Sequence, residues 1–223
     1  MARSRDAGYV SAFEVGVANT EIKDESYKSH SVSRMRTRDR GYISKTTIAG
    51  FIDESFESIA TTNITTNTAS VTFSSIPTTY KHLQIRMFGR TDRASALDGF
   101  RIQFNNNTTT SDYRSHFLGG NGSSAFSGDE GGTAGVVNQR FSGATATASM
   151  FGVSIIDILD YANTNKHKTV RCLGGSDQNG SGEVYLTSGV WMNSAAINEI
   201  DIVPNVGSNF VQYSSFALYG IKG

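Results

Sequence analysis

HLQIRMFGR, residues 82–90, decides the fold. Leu83, Ile85 and Met87 alternate with Gln84 and Arg86. A period of two marks a strand with one dry face and one wet face, whereas an amphipathic helix needs apolar residues three and four apart. The same period recurs in both directions from this stretch. Upstream, Val71 and Phe73 alternate in a short run closed by residues 74–79 with Pro77. Downstream come Phe100, Ile102 and Phe104, then Tyr113, Ser115 and Phe117. Phe151, Val153 and Ile155 lead a longer run through Leu159. Val170 and Cys172 mark the next strand, followed by Val184–Trp191, by Ile200 and Ile202, and by Tyr213–Ile221.

These runs amount to about nine or ten strands, with no amphipathic helix of 10–15 residues to separate them as a parallel α/β fold requires. The pattern predicts an all-β body over residues 55–223, an antiparallel β-sandwich of jelly-roll type. Its predicted core is Phe73, Leu83, Ile85, Phe104, Phe151, Val153, Ile155, Ile158, Val170, Trp191, Ile202, Phe216 and Leu218. The tracts Asn105–Ser111 and Gly119–Ser149 are rich in Gly, Ser, Ala, Thr and Asn. They read as polar connections, the second long enough to reach a neighbour or to form an exposed tip.

Composition agrees with such a body. Of 223 residues, 38% are apolar and 18% charged, and 23 are glycine. Low apolar content together with low charge does not fit a disordered chain, which usually carries net charge. It fits a β-protein with long polar loops, or one whose core is completed by a neighbour. Cys172 is the only cysteine, so no intrachain disulfide forms, and its apolar surroundings predict a buried thiol. No run of 18 apolar residues exists. The opening Met-Ala-Arg-Ser-Arg-Asp has no apolar stretch behind it, which points away from a secretory signal and toward a protein made and left in a cytoplasm.

Residues 1–54 read differently. Apolar residues are sparse, and Lys28, Arg34, Arg36, Arg38, Arg40 and Lys45 cluster with Asp39 as the only acid between them. From Thr46 onward the chain has 11 basic and 14 acidic residues, so a basic arm precedes a mildly acidic body. In an extended strand Arg34, Arg36, Arg38 and Arg40 would all project from one face. Such a strand buries little alone and gains order only on a partner, so residues 1–54 are predicted to be an extended N-terminal attachment arm. Without interleaved aromatics there is no stacking platform for nucleic acid. Protein docking, with the four arginines on acidic side chains of another subunit, is the preferred use.

Chemistry finds little foothold. There is no Gly-x-Ser-x-Gly elbow and no His-Glu-x-x-His spacing. Asp157 and Asp160 fall on opposite faces of one strand, and Asp129 and Glu130 are adjacent in a glycine-rich stretch, so neither pair makes a glycosidase dyad. The run Asp177–Glu183 spaces oxygen ligands as a calcium loop does, but Ser188 stands where the closing glutamate would be. A hairpin turn is the preferred reading. Five Asn-x-Ser/Thr sequons start at Asn63, Asn106, Asn107, Asn121 and Asn179, and without a secretory signal they are expected to be silent. No catalytic residue, metal or cofactor is assigned.

The strings SFESIATT from Ser55, SVTFSSIPTTYKHLQIR from Ser70, DGFRIQFNN from Asp98, SIIDILDYANTNKHKTVR from Ser154, GSGEVYLTSGVWMNSAAIN from Gly180 and QYSSFALYGIKG from Gln212 together resemble a widespread family of tailed-phage virion proteins. That family is frequent in phages of marine and cyanobacterial hosts and often tail-fibre-like. The resemblance covers residues 55–223 and carries no catalytic motif. It implies a non-enzymatic virion protein, made in the host cytoplasm and built into the particle as a homo-oligomer, a trimer by preference. A fibre or spike of the tail or neck is the first expectation, with other virion proteins and a host-surface glycan as partners. A capsid decoration protein and a glycan-active tail enzyme are the alternatives.

Overall fold

The computed structural model describes residues 55–223, except the side chain of Gln139. The arm and its arginines, Arg34, Arg36, Arg38 and Arg40, lie outside the described residues. The body is all-β, with one short 3-10 turn at Thr110–Asp112.

Twelve strands follow one another: β1 Phe56–Asn63, β2 Val71–Phe73, β3 His82–Gly89, β4 Leu97–Phe104, β5 Tyr113–Gly120, β6 Ala125–Gly131, β7 Val136–Ser142, β8 Gly152–Leu159, β9 Lys168–Asp177, β10 Gly182–Trp191, β11 Ile200–Pro204 and β12 Ser215–Ile221. They form two antiparallel sheets. The larger has the order β1-β12-β3-β8-β9-β10-β5-β6 and the smaller β2-β11-β4-β7. The core lies between them. Leu83, Ile85, Ile158, Val170, Phe216 and Leu218 of the large sheet meet Phe73, Phe104 and Ile202 of the small one, all buried as predicted. Close approach needs a bare backbone at one point. A Cβ on Gly189 of β10 would lie 2.3 Å from Val136 of β7, so only glycine lets the sheets meet there.

Some polar groups in the interior pair with one another. The hydroxyls of Ser142 and Ser176 bond each other at 2.7 Å. Cys172 is buried as predicted, and burial pushes its thiol up to about 12. The hairpin reading of Asp177–Glu183 also holds. Asp177 pairs with Gly182, and Asn179 and Gly180 take the positive φ that the tight turn between β9 and β10 requires.

Two expectations are corrected. The tract 119–149 is not one long loop, because it contains β6 and β7. β6 (AFSGDEG) has almost no apolar side chains and owes its strand to pairing with β5 rather than to hydrophobic patterning. The connection between β7 and β8 is anchored by Arg90, which donates to the carbonyls of Ala144 (2.8 Å), Ala146 (2.9 Å), Thr147 (3.1 Å) and Met150 (3.3 Å).

The second correction concerns β8. Val153 and Ile155 were expected in the core, yet they are 53% and 45% exposed, and Phe151 is only half-buried. Ser154, Ile156 and Ile158 face inward instead. Alternation forbids Ile155 and Ile158 from sharing a face, since they stand an odd number of residues apart. Ile158 meets Val170 on the dry side, and that choice turns Ile155 out. In dilute monomeric chain, Ile156→Ala is expected to cost about 2–5 kcal/mol and Ile155→Ala less than about 1 kcal/mol. Urea unfolding of the two variants checks the register. Equal losses would contradict it.

Candidate assembly surface

β8 carries apolar residues on both faces. Strands of that kind are ordinarily covered on both sides. Here one side is the core and the other is the outer face of the eight-stranded sheet.

The pairing register shows what surrounds Val153 and Ile155. Ile155 stands opposite Leu173 of β9, Leu173 opposite Leu186 of β10, and Leu186 opposite Leu118 of β5. The next row out runs Phe88, Val153, Gly175, Val184 and Gly120. Neighbours on one face of a paired ladder stand about 4.5–5.5 Å apart at Cβ, so these side chains form a continuous patch. Each is far from buried: Leu173 is 53% exposed, Leu186 41%, Leu118 56% and Val184 63%. Phe88 stacks on Phe151 at 5.0 Å, which extends the patch past the end of β8.

A polar row borders the patch and is paired within itself. Arg171 donates to Asp157 at 2.9 Å, and Gln84 donates to the same carboxylate at 2.9 Å. Arg86 stands opposite Ile155 at the β3 end of its row, where it donates to Gln84 at 3.0 Å and lies over the rings of Phe56 and Tyr219. The apolar side chains of the two rows thus have one charged group in line with them, Arg86, at the β3 end.

Two other side-chain clusters flank the sheet. On its inner face near β6, Phe117 and Phe126 pack on Tyr185, and Arg140 of β7 lies over the rings of Phe126 and Tyr185 while pairing with Glu183. The guanidinium thus caps the aromatic layer. At the turn after β8, Asp160 sits between Lys81 and Lys166. Their ammonium groups hold its carboxyl down at about 2.

The carboxylates weighed as catalytic pairs are separated in this structure. Asp157 is engaged with Arg171 on the outer face, and Asp160 with lysines beyond the strand end. Asp129 and Glu130 project from opposite faces of β6. The apolar rows are the site that the alternation pattern failed to find. Their signal was present in IIDIL (residues 155–159), where apolar residues occupy both parities. The chain matches no protein-family model, and no curated protein is significantly similar to it.

Proposed function

We propose that this chain is a non-enzymatic structural protein of a tailed-phage particle. In this reading it is a fibre- or spike-like appendage of the tail or neck, held by residues 1–54, with Arg34, Arg36, Arg38 and Arg40 docked on another virion protein. The observation that carries the proposal is the uncovered apolar face of the large sheet. A β-body that leaves a broad apolar patch uncovered on one sheet is suited to assembly. The family resemblance of residues 55–223 supplies the particle.

A jelly-roll arrangement fits the strand order. The small sheet, β2-β11-β4-β7, follows the alternation of one half of a two-sheet roll. The large sheet follows the other half, with β3, β5 and β6 in place and the meander β8–β9–β10 filling the position of a single strand. An odd number of strands there keeps the chain direction of a single one, and β12 and β1 extend the free side.

The test is incorporation. A chain beginning at Ser55 is expected to fold and to be missing from purified particles, whereas the full chain is present and visible on the tail or neck by electron microscopy. Normal incorporation of the shortened chain would remove the arm as anchor. Density on the capsid surface would replace the appendage reading with that of a decoration protein.

A further inference from the structure

We infer that the outer face of the eight-stranded sheet packs against the same face of a second copy of this chain, so that the rows Ile155–Leu173–Leu186–Leu118 and Phe88–Val153–Val184 line a two-fold axis. This rests on the assembly reading above and names its partner. Three observations lead to it.

The first is extent. Seven apolar side chains of the two rows, each about half exposed, are contiguous across five strands. They amount to on the order of 600 Å², at the top of what a typical monomer leaves uncovered. Adding the polar border brings the face to the ~800 Å² per partner of a standard stable interface.

The second is charge. Of the ions that border the patch, Asp157 and Arg171 neutralise each other at 2.9 Å on the same face, and Arg86 is turned onto the rings of Phe56 and Tyr219. A polyanion, a basic segment or a charged lipid surface would find at most one lone cation there. An equally apolar surface is the better complement, and this chain carries one. Isologous contact places each copy's patch on its equal, so the apolar rows meet one another and the polar borders meet at the rim.

The third is shape. A twisted antiparallel sheet presents its side chains at the spacing that face-to-face sheet packing uses, with about 10 Å between layers. β8, β9 and β10 carry the centre of the patch and are also the middle strands of the sheet. The patch therefore lies away from both sheet edges, where strand addition would occur.

The test uses the full chain alone and reads its mass by light scattering across a dilution series. The unaltered chain is expected to be a homo-oligomer at micromolar concentration. Leu173→Asp and Leu186→Asp are each expected to reduce it to a single chain with an unchanged far-UV spectrum. If an aspartate variant fails to fold, the double variant Leu173→Thr/Leu186→Thr takes its place, because threonine keeps the strand preference while removing the apolar contact. A full chain that is monomeric throughout overturns the inference. So does a folded variant that keeps the oligomer mass. Particle incorporation does not enter this measurement. A monomeric chain still found on particles would refute the self-contact and leave the virion reading standing, and an oligomer missing from particles would do the reverse.

Discussion

Phe104→Ala is expected to lower stability by about 3–5 kcal/mol. In a body of this size that corresponds to a fall in melting temperature on the order of 10 °C. Phe104 ends β4 and is fully buried. Its ring lies 5.5 Å from that of Trp191 and 6.4 Å from that of Tyr113, and the Trp191 and Tyr113 rings stack on each other. The three side chains come from β4, β10 and β5, so the cluster joins the two sheets. It is also wired through the backbone. The Phe104 amide donates to the Tyr113 hydroxyl at 3.1 Å, and that hydroxyl donates to the carbonyl of Asn107 at 3.0 Å. Burial raises the Tyr113 hydroxyl to about 12, which keeps it a neutral donor at any physiological pH. Removing the Phe104 ring leaves a cavity that three strands must collapse around, and the rigid Tyr113 link resists that collapse. Trp191→Phe is the informative control. Among the described residues the indole nitrogen of Trp191 has no hydrogen-bond partner, so losing it forfeits packing but no bond. Its cost should be about 1–2 kcal/mol. If Phe104→Ala proved no more costly than this control in thermal or urea unfolding, the cluster would not be the joint between the sheets.

Lys168→Met is expected to cost about 2–4 kcal/mol, although the shape of the side chain is nearly preserved. Lys168 opens β9 opposite Trp191 and is fully buried. Its ammonium donates to the carbonyls of Asn163, Lys166 and Ser194, the last two at 3.0 Å. Two connections, one before β9 and one after β10, thus close on one cation. A methionine would leave three carbonyls without their donor. Burial lowers the pKa of Lys168, with the nearby Lys166 charge acting in the same direction. The sign of the pH effect follows. The unfolded chain holds this proton more tightly than the folded one, so in the window below the ordinary lysine value of 10.5 the group adds stability as pH rises. The difference in unfolding midpoint between the unaltered chain and Lys168→Met should therefore widen toward pH 10. A difference that narrowed, or a variant as stable as the parent at neutral pH, would mean that the carbonyls find other donors.

Much of this body could be read from residue order alone. Alternation in His82–Arg90, Phe100–Phe104 and Val170–Cys172 is a local property: a pleated strand sends successive side chains to opposite sides, so an apolar period of two already specifies a half-buried strand. Ten of the thirteen expected core residues, including Phe73, Leu83, Phe104 and Trp191, are buried for that reason. The glycine-bearing turn after Asp177 and the buried thiol of Cys172 were legible on the same local grounds.

Strand identity was harder where pattern and pairing part company. β6 has no apolar period, and only its hydrogen bonds to β5 make it a strand. Lys168 looks like a solvated lysine in KHKTV (residues 166–170), and nothing near it in the chain announces the carbonyl of Ser194, which the turn after β10 brings back to it. IIDIL has apolar residues on both parities, so no local rule says which face is dry. The choice between Ile155 and Ile156 is made by the small sheet, which lies over one side of β8 and leaves the other uncovered. Local alternation thus determined that these residues form strands. Only the stacking of one sheet on another, a matter of contacts between residues far apart in the chain, decided which side of each strand became core and which was left exposed.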